Sequence, residues 1–168
     1  MKIISVNEFK SFKDVGKNKV DEDKINQIID EAQITELKEV LGNDFYFDVL
    51  NNLDNPDYQV LLSGGSFTSN GINYHQEGLK SLLADYVMAK FVIQSNINFT
   101  PFGSVTKVHN DSQPVERNSL KDMSTQQFQY ASAKWEIIEM YLNSESFTNW
   151  KNNNCTSSTN RRYKFRTF

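Results

Sequence analysis

Apolar residues recur at helical spacing over much of the chain. After Asp21, the positions Ile25, Ile28, Ile29 and Ala32 mark one face of a helix. Asp21 can cap that helix, and Glu22 and Asp23 fall in its first turn, where the helix dipole favours acids. Thr35 opens a second helical piece carrying Leu37, Val40 and Leu41, closed by Gly42-Asn43. Asp44 can cap a third, short helix with Phe45, Val49 and Leu50 on its face, and Asn55-Pro56-Asp57 reads as a turn. From Gly78 to about Asn96 the pattern predicts a central helix. Leu79, Leu82, Leu83 and Tyr86 form one face, and from Tyr86 to Ile93 the apolar residues spread nearly all round, so this helix is buried on most sides. A last helix is predicted from about Ser119 to Asn143. Its seam of Phe128, Ala131, Trp135, Ile138 and Leu142 alternates spacings of three and four, which suits packing along one partner helix.

Other stretches lack that period. Residues 1–20 alternate weakly through Ile4, Val6, Phe9, Phe12, Val15 and Val20, which predicts an N-terminal arm with a short strand or extended piece. Asn70-Gly71 is the strongest hairpin signal, because both positions tolerate the positive φ of a type I′ turn. Phe67, Ile72 and Tyr74 flank it with strand-forming residues, so a hairpin is expected over 66–75. Residues 97–118 read as a long loop, with a turn at Thr100-Pro101-Phe102-Gly103 and a short strand over Val105–His109. After Trp150 the chain turns polar, then ends on a basic-aromatic segment, Arg161–Phe168. The predicted organisation is therefore an arm (1–20), a helical domain (21–147) and a C-terminal tail (148–168). The fold class is mainly α: a small bundle of about four main helices with a β-hairpin, long loops and extended terminal arms.

Composition narrows the classes. At 168 residues the chain can bury a core without disulfides or metals. The net charge of −3 runs against a general DNA-binding protein. One cysteine, Cys155, cannot form an internal disulfide. The first residues lack the apolar run of a signal peptide, and the longest apolar stretch, near Tyr86–Ile93, is too short for a membrane span.

Candidate chemistry is sparse. The histidines are His75 and His109, no Gly-x-Ser-x-Gly elbow occurs, and Cys155 lies in a polar tract that is a poor place to hold a thiolate against a base. No zinc or calcium spacing is present, and Asp21-Glu22-Asp23 is explained by helix capping. Ser63-Gly64-Gly65-Ser66 lacks the lysine of a phosphate-binding loop and reads as a turn. No enzyme, metal or cofactor is expected. The tail mixes Arg161, Arg162, Lys164 and Arg166 with Tyr163, Phe165 and Phe168. That mixture suits phosphate pairing and base stacking, docking into an acidic groove on a protein, or simple solvation.

Three runs carry a resemblance. They are Ile29-Asp30-Glu31-Ala32-Gln33-Ile34-Thr35-Glu36-Leu37-Lys38-Glu39-Val40-Leu41-Gly42; Leu62-Ser63-Gly64-Gly65-Ser66-Phe67 followed by Gly78-Leu79-Lys80; and Thr100-Pro101-Phe102-Gly103-Ser104-Val105-Thr106-Lys107. In this order, over residues 3 to 145, the chain resembles head–tail connector subunits (ring, adaptor or head-completion proteins) of tailed bacteriophages. The similarity is strongest to those of crAss-like and other Bacteroides-type phages. The resemblance implies a non-enzymatic virion protein made in the host bacterial cytoplasm. It would form a homo-oligomeric ring, usually a dodecamer, beneath the portal protein, and would meet the next connector or tail protein. Genomic DNA would pass through its lumen without specific binding, and no membrane would be involved.

Within that expectation, Phe67, Asn70, Gly71, Ile72 and Tyr74 of the hairpin and Phe99, Phe102 and Lys107 of the long loop make contacts between subunits or rings. They would otherwise cover the domain's own core. Arg161, Arg162, Tyr163, Phe165 and Phe168 dock the tail onto the portal or an adjacent subunit. The rival expectation is a DNA-binding or regulatory phage protein that uses the basic tail, recognisable by binding that weakens steeply with salt.

Overall fold

The computed structural model describes residues 1–15, 21–95, 97–100, 103–106, 116–145, 147, 149 and 150. The fold is mainly α, as the periodicity predicts. α1 (Val6–Phe12) begins where a capping box forms. The Ser5 hydroxyl accepts from the Glu8 N–H, and the Glu8 carboxylate accepts from the Ser5 N–H. The extended piece expected within residues 1–20 is thus a helix. Ile3, Ile4, Phe9 and Val15 are buried in the common core, so this segment is not a free arm.

Asp21 caps α2 (Glu22–Ala32), accepting from the N–H groups of Asp23 and Lys24. α2 runs without a break through a π turn, Gln33–Leu37, into α3 (Lys38–Leu41). Thr35 does not start a new piece. Its hydroxyl donates to the Glu31 carbonyl at 2.7 Å, and back-bonding of this kind competes with the regular helix ladder. Buried Gln33 fixes the N-terminus here: it accepts from the Ile3 N–H at 2.9 Å and donates to the Met1 carbonyl and to the Tyr46 hydroxyl, each at 3.1 Å.

After Gly42 comes α4 (Asn43–Asn51), which buries Phe45, Tyr46, Val49 and Leu50; Asp44 lies in its first turn rather than at its cap. Asn55-Pro56-Asp57 is not a simple turn but the start of α5 (Pro56–Ser63). Asn55 caps it, and Pro56 fits the first turn, where its missing N–H costs nothing.

β1 (Gly65–Ser69) and β2 (Ile72–Gln76) pair antiparallel about Asn70 (φ 51°) and Gly71 (φ 77°), the predicted hairpin. Its base is closed by a tight approach of two helix ends. A Cβ on Gly78 (φ +85°) would lie 2.5 Å from the Gly64 nitrogen and from the Leu62 carbonyl oxygen, so only glycine fits. Buried Gln76 clamps the same junction, donating to the Val60 carbonyl and accepting from the Gly78 N–H at 2.6 Å.

α6 (Gly78–Gln94) is the central helix and is buried on most sides. β3 (Ile97–Thr100) and β4 (Gly103–Thr106) form a second antiparallel hairpin within the stretch read as a loop. α7 (Arg117–Ser144) packs along α6 through Ala131, Trp135, Ile138 and Leu142, with Phe128 half-buried on the same seam. Trp150 is also buried, its ring 5.5 Å from Phe45 and 6.0 Å from Trp135, so the domain extends past the expected boundary at 147.

Candidate functional site

Asp85 sits in the middle of α6 with no exposed surface. Desolvating a carboxylate is expensive unless charges and hydrogen bonds compensate it. Two lysines do so here. Lys13, just after α1, donates to Oδ1, and Lys134 of α7 lies 2.7 Å from Oδ2 in a close ionic contact not aligned as a hydrogen bond. Lys134 also donates to the Ser81 hydroxyl at 2.8 Å and pairs with Glu77 at 2.8 Å, while Lys13 donates to Gln127 at 3.0 Å. Burial alone would lower the Lys134 pKa, but Asp85 and Glu77 outweigh it and raise it. The hydrogen bond from Lys134 holds Glu77 below the ordinary carboxylate range, against its partial burial. The cluster ties α1, α6 and α7 together and borders an open cleft of about 360 Å³ that also includes His75, Tyr130 and Ile137.

A second hollow, of about 560 Å³, has the opposite character. Asp48, Asp57 and Glu145 line it with Tyr58, Tyr141 and Phe147, and among the described residues no basic side chain lines it. Phe147 forms an aromatic cluster with Tyr58 (5.2 Å), Phe45 (5.7 Å) and Tyr141 (6.2 Å). The Tyr58 hydroxyl donates to Asp48 at 2.5 Å. Burial, then Asp48, push the Tyr58 pKa far up; burial and Glu145 raise that of Tyr141.

Four exposed large apolar residues lie on α7. Met123, Tyr130 and Ile137 recur every seven residues and so lie nearly in line, with Met140 beyond them. All four are more than a third exposed.

The hairpin residues expected to form an interface divide into two groups. Phe67 is buried, stacks on Tyr74 at 5.5 Å and meets Tyr141 edge-on at 5.3 Å. Phe67 and half-buried Tyr74 therefore pin the hairpin to α7, which is the core-covering alternative and not a free contact. Asn70, Gly71 and Ile72 form the exposed tip, with Ile72 56% accessible. The backbone of Phe99 pairs with Ser104 in the second hairpin. Phe102, Lys107, Arg161, Arg162, Tyr163, Phe165 and Phe168 lie outside the described residues.

The expectations above missed the Asp85 cluster and the acidic groove. Asp85 left a legible signal, a lone acid between Ala84 and Tyr86 in the most apolar helix. The groove left none, because Glu145 is distant in sequence from Asp48 and Asp57. Among the described residues no group of His, Cys, Asp and Glu is arranged to hold a metal ion, and no helix is long and apolar enough to cross a membrane.

Residues 37–160 match the model of a family of unknown function, DUF6712, and the chain belongs to that family. No curated protein matches, and no solved structure does.

Proposed function

We propose that this protein is a structural virion protein, a head–tail connector subunit of a tailed bacteriophage that assembles into a ring beneath the portal. The observation that carries the reading is the α7 stripe of Met123, Tyr130, Ile137 and Met140, an apolar line left uncovered along the longest helix. Apolar residues aligned along one exposed face of a helix suit contact with another chain. A head-to-tail arrangement pairs it with a different face of the next copy and closes into a ring. The exposed hairpin tip at Asn70, Gly71 and Ile72 supplies a second contact, toward the portal or the next connector or tail protein. The order of sequence runs that resemble those of connector subunits supports the same reading. The subunit's net charge of −3, repeated round a ring, disfavours DNA sticking to a channel it must traverse.

The test is negative-stain electron microscopy with mass determination on the purified chain, alone and mixed with its portal protein. Rings, alone or only on the portal, are expected, and Ile137→Glu should abolish them while leaving the helical spectrum intact. A monomer that ignores the portal but shifts DNA at low salt would replace this reading with the DNA-binding one.

A further inference from the structure

We infer that the groove between α5 and the end of α7 is a binding site for a basic-aromatic peptide, and that in the free subunit its occupant is the chain's own Arg161–Phe168 segment.

The groove and the segment are complementary in two ways. Asp48, Asp57 and Glu145 line the hollow with no base among its described lining, whereas the segment has four bases, Arg161, Arg162, Lys164 and Arg166, and no acid. Asp57 and Glu145 are exposed on the rim, where a guanidinium can take a carboxylate with two parallel bonds. Phe147, Tyr58 and Tyr141 cluster along the same hollow, which holds about 560 Å³ of space. Tyr163, Phe165 and Phe168 supply rings of matching kind, able to pack edge-on against them. Burial raises the pKa values of Tyr58 and Tyr141, and the acids Asp48, Asp57 and Glu145 add to the rise.

The tether selects the occupant. Asn149 lines the groove, and Trp150 is anchored beside it on Phe45 and Trp135. From there, ten residues, 151–160, lead to Arg161, a length that spans at most about 35 Å. The segment therefore lies within reach of the groove, and a short tether gives it an effective concentration on the order of millimolar that a second copy must exceed. This inference stands on the groove and the tail alone; it does not depend on ring formation, and attachment to a portal would draw the segment out of its store.

Photo-crosslinking of the full-length chain tests it. With p-benzoylphenylalanine in place of Phe165, irradiation should give a product of monomer mass whose crosslinked peptide maps to residues 48–58 or 141–149. Asp57→Lys with Glu145→Lys should cut that yield several-fold, as should salt near 1 M, where the Debye length is about 3 Å. Asp57→Asn with Glu145→Gln serves if the charge swap disturbs the helical spectrum. Crosslinks mapping elsewhere, a yield indifferent to the rim charges, no crosslink at all, or a product of dimer mass only would overturn the inference. The last result would assign the groove to the tail of a second copy.

Discussion

Asp85 and the carboxylates of the groove are both set among aromatic-bearing helices, and they differ in what faces them. Asp85 is wholly buried and meets two lysines, one just after α1 and one on α7. Asp48, Asp57 and Glu145 meet tyrosine, phenylalanine and one another's field, with no cation among the described lining. A compensated charge contributes to holding a fold in one arrangement, while an uncompensated set on a surface leaves attraction available for something else. The contrast separates a region that organises the molecule from one that can recognise a ligand. Burial makes the same distinction: the lysines of the first site are about four-fifths covered, whereas Asp57 and Glu145 remain open to water.

The largest effect expected from breaking this contrast is at Asp85. Asp85→Ala leaves Lys13 and Lys134 facing each other across a cavity without their shared counter-charge. Removing one partner of a buried ionic group costs on the order of 3 kcal/mol, toward the low end here because both lysines can reach water. Urea unfolding should show a lower midpoint with an unchanged slope. A midpoint equal to the parent's would mean that Asp85 is as dispensable as a rim acid.

The pH dependence is the next largest, and its sign follows from the direction of each shift. Glu77 is depressed by its bond to Lys134, so its contribution is complete above its ordinary value of 4.5 and is lost as pH falls through the lower, folded value. Glu8 behaves alike: burial pushes it up, but Lys80 and Ser5 outweigh that and bring it down. Lys134 is raised, so its contribution is complete below 10.5 and is lost as pH rises through the folded value. Glu77→Gln should therefore flatten the fall in stability below pH 4.5. On the groove side, Tyr58 is raised, so its share is complete below pH 10 and disappears only above it. Tyr58→Phe should leave the acid limb untouched. Thermal unfolding across pH would measure both, and an acid limb altered by Tyr58→Phe but not by Glu77→Gln would reverse the assignment of roles.

Much of the organising region was legible in the chain. The seam of α7, the apolar surround of α6, the Asp21 cap and the Asn70-Gly71 turn each rest on a local rule, and local rules are written in adjacent residues. Two further signals were present but read otherwise. Ser5-Val6-Asn7-Glu8 is a capping-box sequence, overlooked because its helix is only seven residues long and shows one buried position, Phe9. Asn55-Pro56 is equally the start of a turn or of a helix, and only the burial of Leu61 and Leu62 decides for α5. The turn at Thr100–Gly103 and a strand after it were legible, but the strand before it, Ile97–Thr100, was read as loop because only Ile97 and Phe99 mark it. The groove could not have been read from the sequence: Asp57 and Glu145 are far apart in the chain and line one hollow because α5 and α7 both pack on α6.

The smallest effect expected is also the one that separates the two regions most directly. Asp57→Asn with Glu145→Gln removes two charges from the groove while keeping side-chain size. Neither residue has an ion-pair partner to lose among the described residues, and Asp57 gives up only a favourable position in the first turn of α5. The unfolding midpoint should therefore stay close to the parent's at moderate salt. What should change is its salt dependence. Screening weakens attraction between exposed charges, so if the rim acids attract the basic tail, the parent loses stability as salt rises and the neutralised variant does not. Equal salt dependence in the two proteins would mean that the rim acids attract nothing in the free chain. A large drop in the midpoint at low salt would place Asp57 and Glu145 with Asp85, among the charges that hold the fold.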